Sequence, residues 1–189
     1  MTDPKPVSQS EVVQSAALRT QDAPAVDFKT VYENHFNYVF HSLRRLGVPD
    51  RDLEDLLHEV FLAFHRSGYD PARPIKPWLF GISFRIASDY RRRAQNRYEV
   101  PSEPTDTPSL AVPADEAVEL HQKRELVRRA LSGIDLERRA VFVMHDIDGL
   151  SMPEIAQVLE APLNTLYSRL RLARAEFADA VKREKAKLK

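Results

Sequence analysis

Apolar residues recur every three to four positions along most of the chain, a spacing that predicts helices rather than strands. The clearest case is the stretch of residues 149–175. Ser151 followed three residues later by Glu154 forms a capping box, so a helix is predicted to begin there. Pro162 disfavours the helical conformation in the residue before it, which ends this helix near Glu160. A second helix follows directly after the break.

This second helix has one apolar face and one polar face, and Asn164 is predicted as its N-cap. A short helix, a tight turn and a helix with polar and basic residues near its N-terminus are typical of a helix-turn-helix, whose second helix enters the DNA major groove. An ordinary helical hairpin with a solvated basic face has the same spacing and stays open as an alternative. The apolar face holds Leu166, Leu170, Ala173 and Phe177. The polar face and its flanks hold Asn164, Ser168, Arg171, Leu172 and Ala175, with Tyr167, Arg169 and Arg174 beside them.

Three more helices are predicted in the first half of the chain. The first begins at Asp27 and ends at Gly47, and the second is capped by Asp50 or Asp52. The third begins near Pro77, which suits a first helical turn. The apolar stripes of these helices are expected to form a core. They comprise Phe28, Val31, Tyr32, Phe36, Val39, Phe40, Leu43 and Leu46, then Leu53, Leu56, Leu57, Val60, Phe61 and Phe64, then Trp78, Leu79, Ile82, Ile86 and Tyr90.

Two metal-binding motifs could involve the polar face of the helix that begins near Asp52, and neither motif fits the sequence. An EF-hand loop needs Gly where Asp55 stands, and a zincin motif needs a second His where Leu62 stands. The cluster His145, Asp146 and Asp148 is more typical of a solvated loop than of a metal site. No set of nucleophile, base and orienting group is apparent, so the sequence predicts no catalytic site, no metal site and no cofactor.

The loop of residues 68–76 and the helix after it combine aromatic with basic residues. Aromatic rings stack on bases and guanidinium groups bind phosphates, so this combination favours a single-stranded nucleic-acid site. The alternative is a solvated basic face above a core that contains Trp78, and for Trp78 itself we favour the core. The basic residues of the helix are Arg85, Arg92, Arg93 and Arg97.

Composition narrows the class of protein. The 189 residues include no cysteine, which excludes a disulfide framework and a thiolate zinc site. No apolar run is long enough to span a membrane and the start lacks a secretion signal, so a cytoplasmic protein is expected. The formal net charge is zero, but residues 27–97 carry a net +3, residues 98–118 a net −5 and residues 161–189 a net +5. Two basic segments suggest contacts with a polyanion at both ends.

These patterns predict an all-α protein of two small helical domains joined by a flexible linker. A tail is placed at residues 1–26 and a first domain at 27–97. Residues 98–116 are rich in Pro and acidic residues and are expected to form an extended linker. The second domain is placed at residues 117–189 and contains the helix-turn-helix.

The order of these parts resembles the two-domain extracytoplasmic-function sigma factors, bacterial members of the sigma-70 family. The resemblance covers about residues 27–181, and its motifs match jointly and in order. They are DLEDLLHEVFLAFHR, WLFGISFRIASDYRRR, the Pro-rich linker and ERRAVFVMHDIDGLSMPEIAQVLEAPLNTLYSRLRLARAEF. The resemblance implies a sigma region 2-like bundle, a sigma region 4-like helix-turn-helix domain, and a non-catalytic specificity subunit of RNA polymerase without membrane insertion.

The resemblance also implies partners and residues for each surface. Core RNA polymerase, through the clamp helices of its largest subunit, is expected to contact Asp52, Asp55, His58 and Glu59. The minus-ten promoter element is expected to be melted and bound by Tyr69, Arg73, Lys76, Arg85, Arg92 and Arg93. The minus-thirty-five element is expected to be read by Asn164, Tyr167, Ser168, Arg169, Arg171, Leu172 and Arg174.

Some positions depart from the family pattern. His58 stands where the family commonly has Gln, and Tyr167 and Leu172 stand where basic residues are frequent. The minus-thirty-five sequence therefore cannot be carried over from the family, and Leu172 would suit a thymine methyl group. Family members are usually held inactive by an anti-sigma factor clamped between the two domains, and the linker would permit that. Two other classes stay open: a dimeric helix-turn-helix regulator that acts without polymerase, and a helical adaptor that binds no DNA.

Overall fold

The computed structural model describes the backbone of residues 27–96 and 114–187, and the side chains of residues 27–95 and 122–187. Within these ranges every regular element is a helix, which confirms the all-α class. The predicted tail and most of the linker lie outside the described residues, but residues 114–116, assigned to the linker from the sequence, are helical. The helices are α1 (Phe28–Leu46), α2 (Leu53–Arg66), α3 (Ile75–Asn96), α4 (Ala114–Ser132), α5 (Leu136–Phe142), α6 (Met152–Leu159) and α7 (Leu163–Lys187).

Both ends of α1 follow the predicted signals. The Asp27 carboxylate accepts hydrogen bonds from the backbone N–H groups of Lys29, at 3.3 Å, and Thr30, at 3.1 Å. Gly47 ends the helix with a φ of +94°, a left-handed conformation that glycine adopts without a steric penalty. The predicted bounds of α1 are therefore confirmed.

The start of α2 differs from the prediction, because no aspartate side chain caps it. A short 3₁₀ turn at residues 50–52 leads into the helix. The Asp52 carboxylate accepts instead from the Tyr90 hydroxyl, at 2.6 Å, and from Arg51, at 3.3 Å. Asp50 pairs with Arg44 at 2.9 Å, so both carboxylates are taken by stronger donors than a helix N–H. The six predicted apolar positions of α2 are all buried.

Helices α1, α2 and α3 pack around one another as a bundle. Val39 and Leu79 are fully buried as predicted, and so is Phe80, which the sequence analysis did not assign to the core. Phe36 departs from the prediction, because it lies at the edge of the α1 stripe and is 36% exposed. Its ring stacks on that of Phe40, with the centroids 6.4 Å apart.

The helix-turn-helix forms from α6 and α7 as predicted. At the start of α6, the Glu154 carboxylate accepts from the Ser151 backbone N–H at 2.8 Å and from its hydroxyl at 2.6 Å. Glu160 ends α6 with a φ of +50°, and it is the only described residue other than glycine with a positive φ. Leu166 and Leu170 of α7 are buried beneath the turn, as their spacing indicates.

Asn164 is not the N-cap of α7, contrary to the prediction. The Pro162 carbonyl accepts the Leu166 N–H at 3.1 Å, and this bond extends the helix to Leu163. Asn164 therefore lies within the first helical turn, where its side chain is exposed. Its amide is thereby available to a ligand on that face of α7.

Helix α5 continues into a π-helical turn at residues 143–147. The Leu150 N–H bonds to the Met144 carbonyl at 2.9 Å, and the Asp148 N–H bonds to the Val143 carbonyl at 2.9 Å. A π turn shifts the side chains that follow it around the helix axis. As a result Asp146 faces α7, whereas Asp148 faces α1.

The two halves of the described chain share one hydrophobic core. Helix α3 packs on α6, and α1 packs on α4 and α5. Arg139 of α5 is only 3% exposed and donates to the carbonyls of Leu46, at 2.9 Å, and of Ser132 and Ile134, each at 2.8 Å. Burial lowers the pKa of its guanidinium to about 10. Gly47 is required here, because an added Cβ would clash with Arg139 Nη1.

Candidate functional site

The first described surface is the solvent side of α7. Asn164, Tyr167, Ser168, Arg171 and Leu172 are all exposed there. Tyr167 is 57% exposed and Leu172 is 39% exposed, which is high for large apolar side chains. Arg171 forms no ion pair with any residue in the described ranges. The structure thus brings these five predicted residues together on one accessible helix face.

The two flanking arginines of α7 are paired with acidic residues of α5 and of the π turn that continues it. Arg169 binds the carboxylate of Glu137 in α5. Arg174 donates through Nε and Nη2 to the two oxygens of Asp146, at 2.8 Å and 2.6 Å. Hydrogen bonds from Arg174 and His145 lower the pKa of the Asp146 carboxyl. Both arginines therefore brace α7 against α5 and its π turn.

The second surface is the polar face of α2. Asp55, His58 and Glu59 are exposed along it, as predicted. Glu59 lies 3.9 Å from Arg93 of α3, an ion pair that holds the carboxylate near the edge of the face. Asp52 lies at one end, where its hydrogen bond to Tyr90 fixes its orientation. The face is preformed and acidic.

Leu62 is a residue of this face that the sequence analysis missed. It follows Asp55 by seven positions, His58 by four and Glu59 by three, so it lies among them on the helix. Its side chain is 52% exposed. An apolar residue ringed by polar ones is typical of a protein interface. The helical spacing alone would have placed Leu62 there.

The third surface begins with the loop between α2 and α3. The Tyr69 ring lies between those of Phe64 and Trp78, with centroid distances of 5.3 Å and 5.9 Å. Its hydroxyl donates to the Arg73 carbonyl, and Trp78 Nε1 donates to Ser67 Oγ at 3.1 Å. The Arg73 guanidinium lies 5.7 Å from the centroid of the Trp78 ring. Tyr69 is therefore part of a folded aromatic cluster, with Arg73 at its surface.

The basic residues of α3 fall into two groups. Arg92 and Arg93 lie near its C-terminus and pair with Asp89, at 3.0 Å, and Glu59. Lys76 and Arg85 lie towards the second half of the chain. Lys76 Nζ is 5.7 Å from the centroid of the Tyr38 ring, and Arg85 lies beside Gly81, where Val158 of α6 packs against α3.

A polar contact between the halves was not visible in the sequence. The Tyr38 hydroxyl donates to Asp148 Oδ2 at 2.9 Å, and Arg45 lies 3.4 Å from Asp148 Oδ1. Burial raises the pKa of the Asp148 carboxyl, despite the hydrogen bond from Tyr38 and the charges of Arg45 and Lys76. The contact joins positions more than one hundred residues apart, which no local pattern reveals.

His145, Asp146 and Asp148, which are close in sequence, point to different partners in the structure. His145 Nδ1 lies 2.7 Å from Asp146, whereas Asp148 turns to Tyr38. Among the described residues no three His, Cys, Asp or Glu side chains are placed to hold a metal ion. Within the same ranges, no helix combines the length and the apolar character needed to cross a membrane.

Comparison with known families gives two matches that follow one another along the chain. Residues 31–97 match the model of sigma-70 region 2. Residues 124–177 match the model of sigma-70 region 4. The first match spans the α1–α3 bundle and its two candidate surfaces. The second runs from the second half of α4 to the middle of α7, including the candidate surface of the helix-turn-helix.

Curated relatives agree with these matches. The chain is 27% identical over 184 residues to the RNA polymerase sigma factor NccH of Alcaligenes xylosoxydans xylosoxydans, with 94% of this chain and 95% of NccH covered. It is 33% identical over 150 residues to the ECF RNA polymerase sigma factor SigE of Mycolicibacterium smegmatis, with 77% of this chain and 58% of SigE covered.

A solved structure has the same fold. The sigma factor CnrH, in complex with the cytosolic domain of CnrY, aligns with a TM-score of 0.56 and 25% sequence identity. The alignment covers 90% of this chain and 96% of CnrH.

Proposed function

The chain belongs to the extracytoplasmic-function group of the sigma-70 family, and we propose that each of its three surfaces has a separate task in promoter recognition. As a member of this family it is a non-enzymatic transcription initiation factor that acts with core RNA polymerase. The α2 face binds the core enzyme, the α2–α3 loop and α3 bind the minus-ten element, and α7 reads the minus-thirty-five element. The order of a region 2 bundle and a region 4 helix-turn-helix in one chain carries this assignment.

For core binding we assign Asp55, His58, Glu59 and Asp52, with Leu62 at the centre of the face. The clamp helices of the largest polymerase subunit are the proposed partner. An apolar centre with a charged rim suits this role, because the rim steers association while the buried centre supplies most of the affinity.

For the minus-ten element we assign Tyr69, Arg73, Lys76, Arg85, Arg92 and Arg93. Arginine and lysine at the surface supply phosphate contacts, and the aromatic cluster supplies a stacking surface for an unpaired base. Flipping a base costs a few kcal/mol of stacking, which stacking on an aromatic side chain offsets. Tyr69 must leave its place between Phe64 and Trp78 to expose a full ring face.

The two halves must separate before both elements are bound. The elements lie roughly 25 base pairs apart, or about 85 Å at ~3.4 Å per pair. A compact body of the described size has a radius of gyration of only about 15 Å. Lys76 and Arg85 also lie near the packed second half. We therefore infer that the described arrangement is a closed state, which opens on core polymerase.

An anti-sigma factor is the proposed negative regulator. The similar sigma factor CnrH is known in complex with the cytosolic domain of CnrY. A cytosolic partner fits the cytoplasmic location that we propose for this chain. Purification of the tagged chain from its native host should yield a second bound protein besides polymerase, and recovery of polymerase alone would argue against this regulator.

The test of the function is run-off transcription with bacterial core polymerase on a pool of genomic promoters. Initiation at a discrete set of start sites only when the chain is present is the expected result. Silence with core polymerase, together with dimeric binding to duplex DNA, would support a helix-turn-helix regulator instead. If the chain neither directs initiation nor binds duplex DNA, the result would support a helical adaptor that binds no DNA.

A further inference from the structure

We propose that Leu172 and Tyr167 read the C5-methyl groups of thymines, so that this chain selects a minus-thirty-five element containing thymine where α7 enters the groove. This inference rests on the proposed reading of that element by α7. It adds the kind of base contact that α7 makes, and it gives Arg169 and Arg174 a different role from direct base contact.

The exposure of two large apolar side chains is the first observation. Leu172 and Tyr167 are 39% and 57% exposed, although the buried face of the same helix encloses Leu166 and Leu170. At about 100° per residue, Leu172 and Tyr167 flank Arg171 on either side. All three lie within the first three turns of α7, the part of a recognition helix that meets base edges.

The pairing of the flanking arginines is the second observation. An arginine that reads guanine directs two parallel N–H groups at O6 and N7. In Arg174 two such groups are already bound to the two oxygens of Asp146. Arg169 is likewise bound to Glu137. Of the arginines predicted for this surface, only Arg171 has no acidic partner among the described residues.

The chemistry of the major groove then limits what the rest of the face can read. The thymine methyl is the apolar group that base pairs present in that groove, where every pair also presents hydrogen-bonding atoms. A cytosine amino group opposite Leu172 would lose water without gaining a partner, which is unfavourable. Leu172 thus favours thymine and disfavours guanine and cytosine, and the ring of Tyr167 adds a second apolar surface that suits a thymine methyl. Arg169 and Arg174 act as positioning residues that fix the tilt of α7.

The test uses the full chain assembled with core polymerase. A strong promoter is taken from the run-off pool, and each thymine of its minus-thirty-five element is replaced, one at a time, by deoxyuridine. Deoxyuridine keeps the base pair and removes only the methyl group. At one or two positions we expect promoter binding to weaken about three- to fivefold, the effect of one lost methyl contact. Deoxyuridine in the spacer between the elements should have no effect.

Variants of α7 separate base reading from a structural role. Leu172→Ala should weaken binding and also abolish the effect of deoxyuridine at one position, because the partner of that methyl is gone. Leu163→Ala is the control for Leu172, since Leu163 is 43% exposed on the same helix and lies about 180° from Leu172 around the helix axis, next to Tyr167. It should retain the deoxyuridine effect at the position where Leu172→Ala abolishes it. A variant that only loosened α7 would bind all of these DNAs less well and leave the ratio between them unchanged.

The outcomes of this experiment are distinguishable. Equal binding of thymine and deoxyuridine promoters, or a minus-thirty-five element without thymine, overturns the inference while the sigma function stands. An unchanged deoxyuridine effect in Leu172→Ala overturns the assignment of Leu172. Failure of the chain to direct any initiation overturns the proposed function, and this inference with it.

Discussion

The Tyr38 hydroxyl donates a hydrogen bond of 2.9 Å to the Asp148 carboxylate, and this bond connects α1 to the segment between the π turn and the helix-turn-helix. The side chain of Asp148 is 11% exposed, so little water competes for it. Because Tyr38 lies in the half that carries the region 2 match and Asp148 in the half that carries the region 4 match, the bond must break when the two halves separate.

We expect Tyr38→Phe to favour the open state. The change leaves a buried carboxylate with one donor fewer, at a cost of about 1–2 kcal/mol in the closed state. The chain has no cysteine, so cysteines introduced at the exposed Lys29 and Lys182 can carry a donor and an acceptor dye. Energy transfer between the dyes should fall in the variant before core polymerase is added.

Tyr32→Phe is the matched control for this change. Tyr32 lies on the same helix and packs against Phe61, but its hydroxyl has no hydrogen-bond partner among the described residues. Its variant should show the energy transfer of the parent chain. Equal energy transfer in all three proteins would mean that the Tyr38 bond does not hold the halves together.

Closure is also expected to depend on pH through Asp148. Burial raises the pKa of this carboxyl in the closed state above the ordinary value of 3.8. The closed state therefore binds a proton more tightly than the open state, and its stability falls as the pH rises from 3.8 through the raised value. Asp148→Asn does not titrate and still offers an acceptor to Tyr38.

The comparison for this prediction is the difference in energy transfer between the parent chain and Asp148→Asn, measured from pH 4 to pH 7 at constant ionic strength. The parent chain should open relative to the variant as the pH rises. Tyr38, Arg45 and Lys76 are the groups that face the carboxyl, and they are the same in both proteins. A difference that is constant with pH, or of opposite sign, would exclude Asp148 as the titrating group.

Gly47→Ala should destabilise the protein more than backbone strain alone can explain. An alanine at the observed φ of +94° costs about 1–2 kcal/mol, and its Cβ would also displace the buried Arg139 guanidinium. Gly68→Ala provides the control, because Gly68 has a φ of +60° and no heavy atom near the added Cβ. In urea unfolding, the loss at Gly47 should exceed that at Gly68 by at least ~1 kcal/mol. Equal losses would mean that Arg139 moves aside freely.

The sequence predicted the parts of this molecule that local chemistry determines. The bounds of α1 and the start of α6 follow from Asp27, Gly47 and Ser151, whose side chains or backbone act within a few residues. It did not predict that the carboxylate of Asp52 would bind Tyr90 rather than a helix terminus, since that bond depends on how α3 packs. The bond from Arg139 to Leu46 was hidden for the same reason.

Glu160→Gly is expected to stabilise the helix-turn-helix. Glu160 ends α6 in the left-handed region with a φ of +50°, which costs a residue with a Cβ about 1–2 kcal/mol and costs glycine almost nothing. Thermal unfolding should therefore shift upwards. Gln157→Gly is the control of opposite sign, because Gln157 is exposed within α6 and should lose about 1 kcal/mol. If both variants are less stable than the parent chain, the left-handed backbone at Glu160 does not destabilise the protein.

The α2 face offers the sharpest separation between binding and folding. Leu62→Ala removes an exposed apolar side chain at the centre of the face, and it should weaken binding to core polymerase about tenfold while leaving the unfolding transition unchanged. Asp55→Ala with Glu59→Ala should weaken binding further and reduce its dependence on salt, because the lost groups are charged. Glu33→Ala changes an exposed carboxylate of α1, a different helix, and should bind like the parent chain. Binding is measured by competition with a labelled parent chain, and a loss as large in Glu33→Ala as in Asp55→Ala with Glu59→Ala would show that net charge, and not this face, governs the contact.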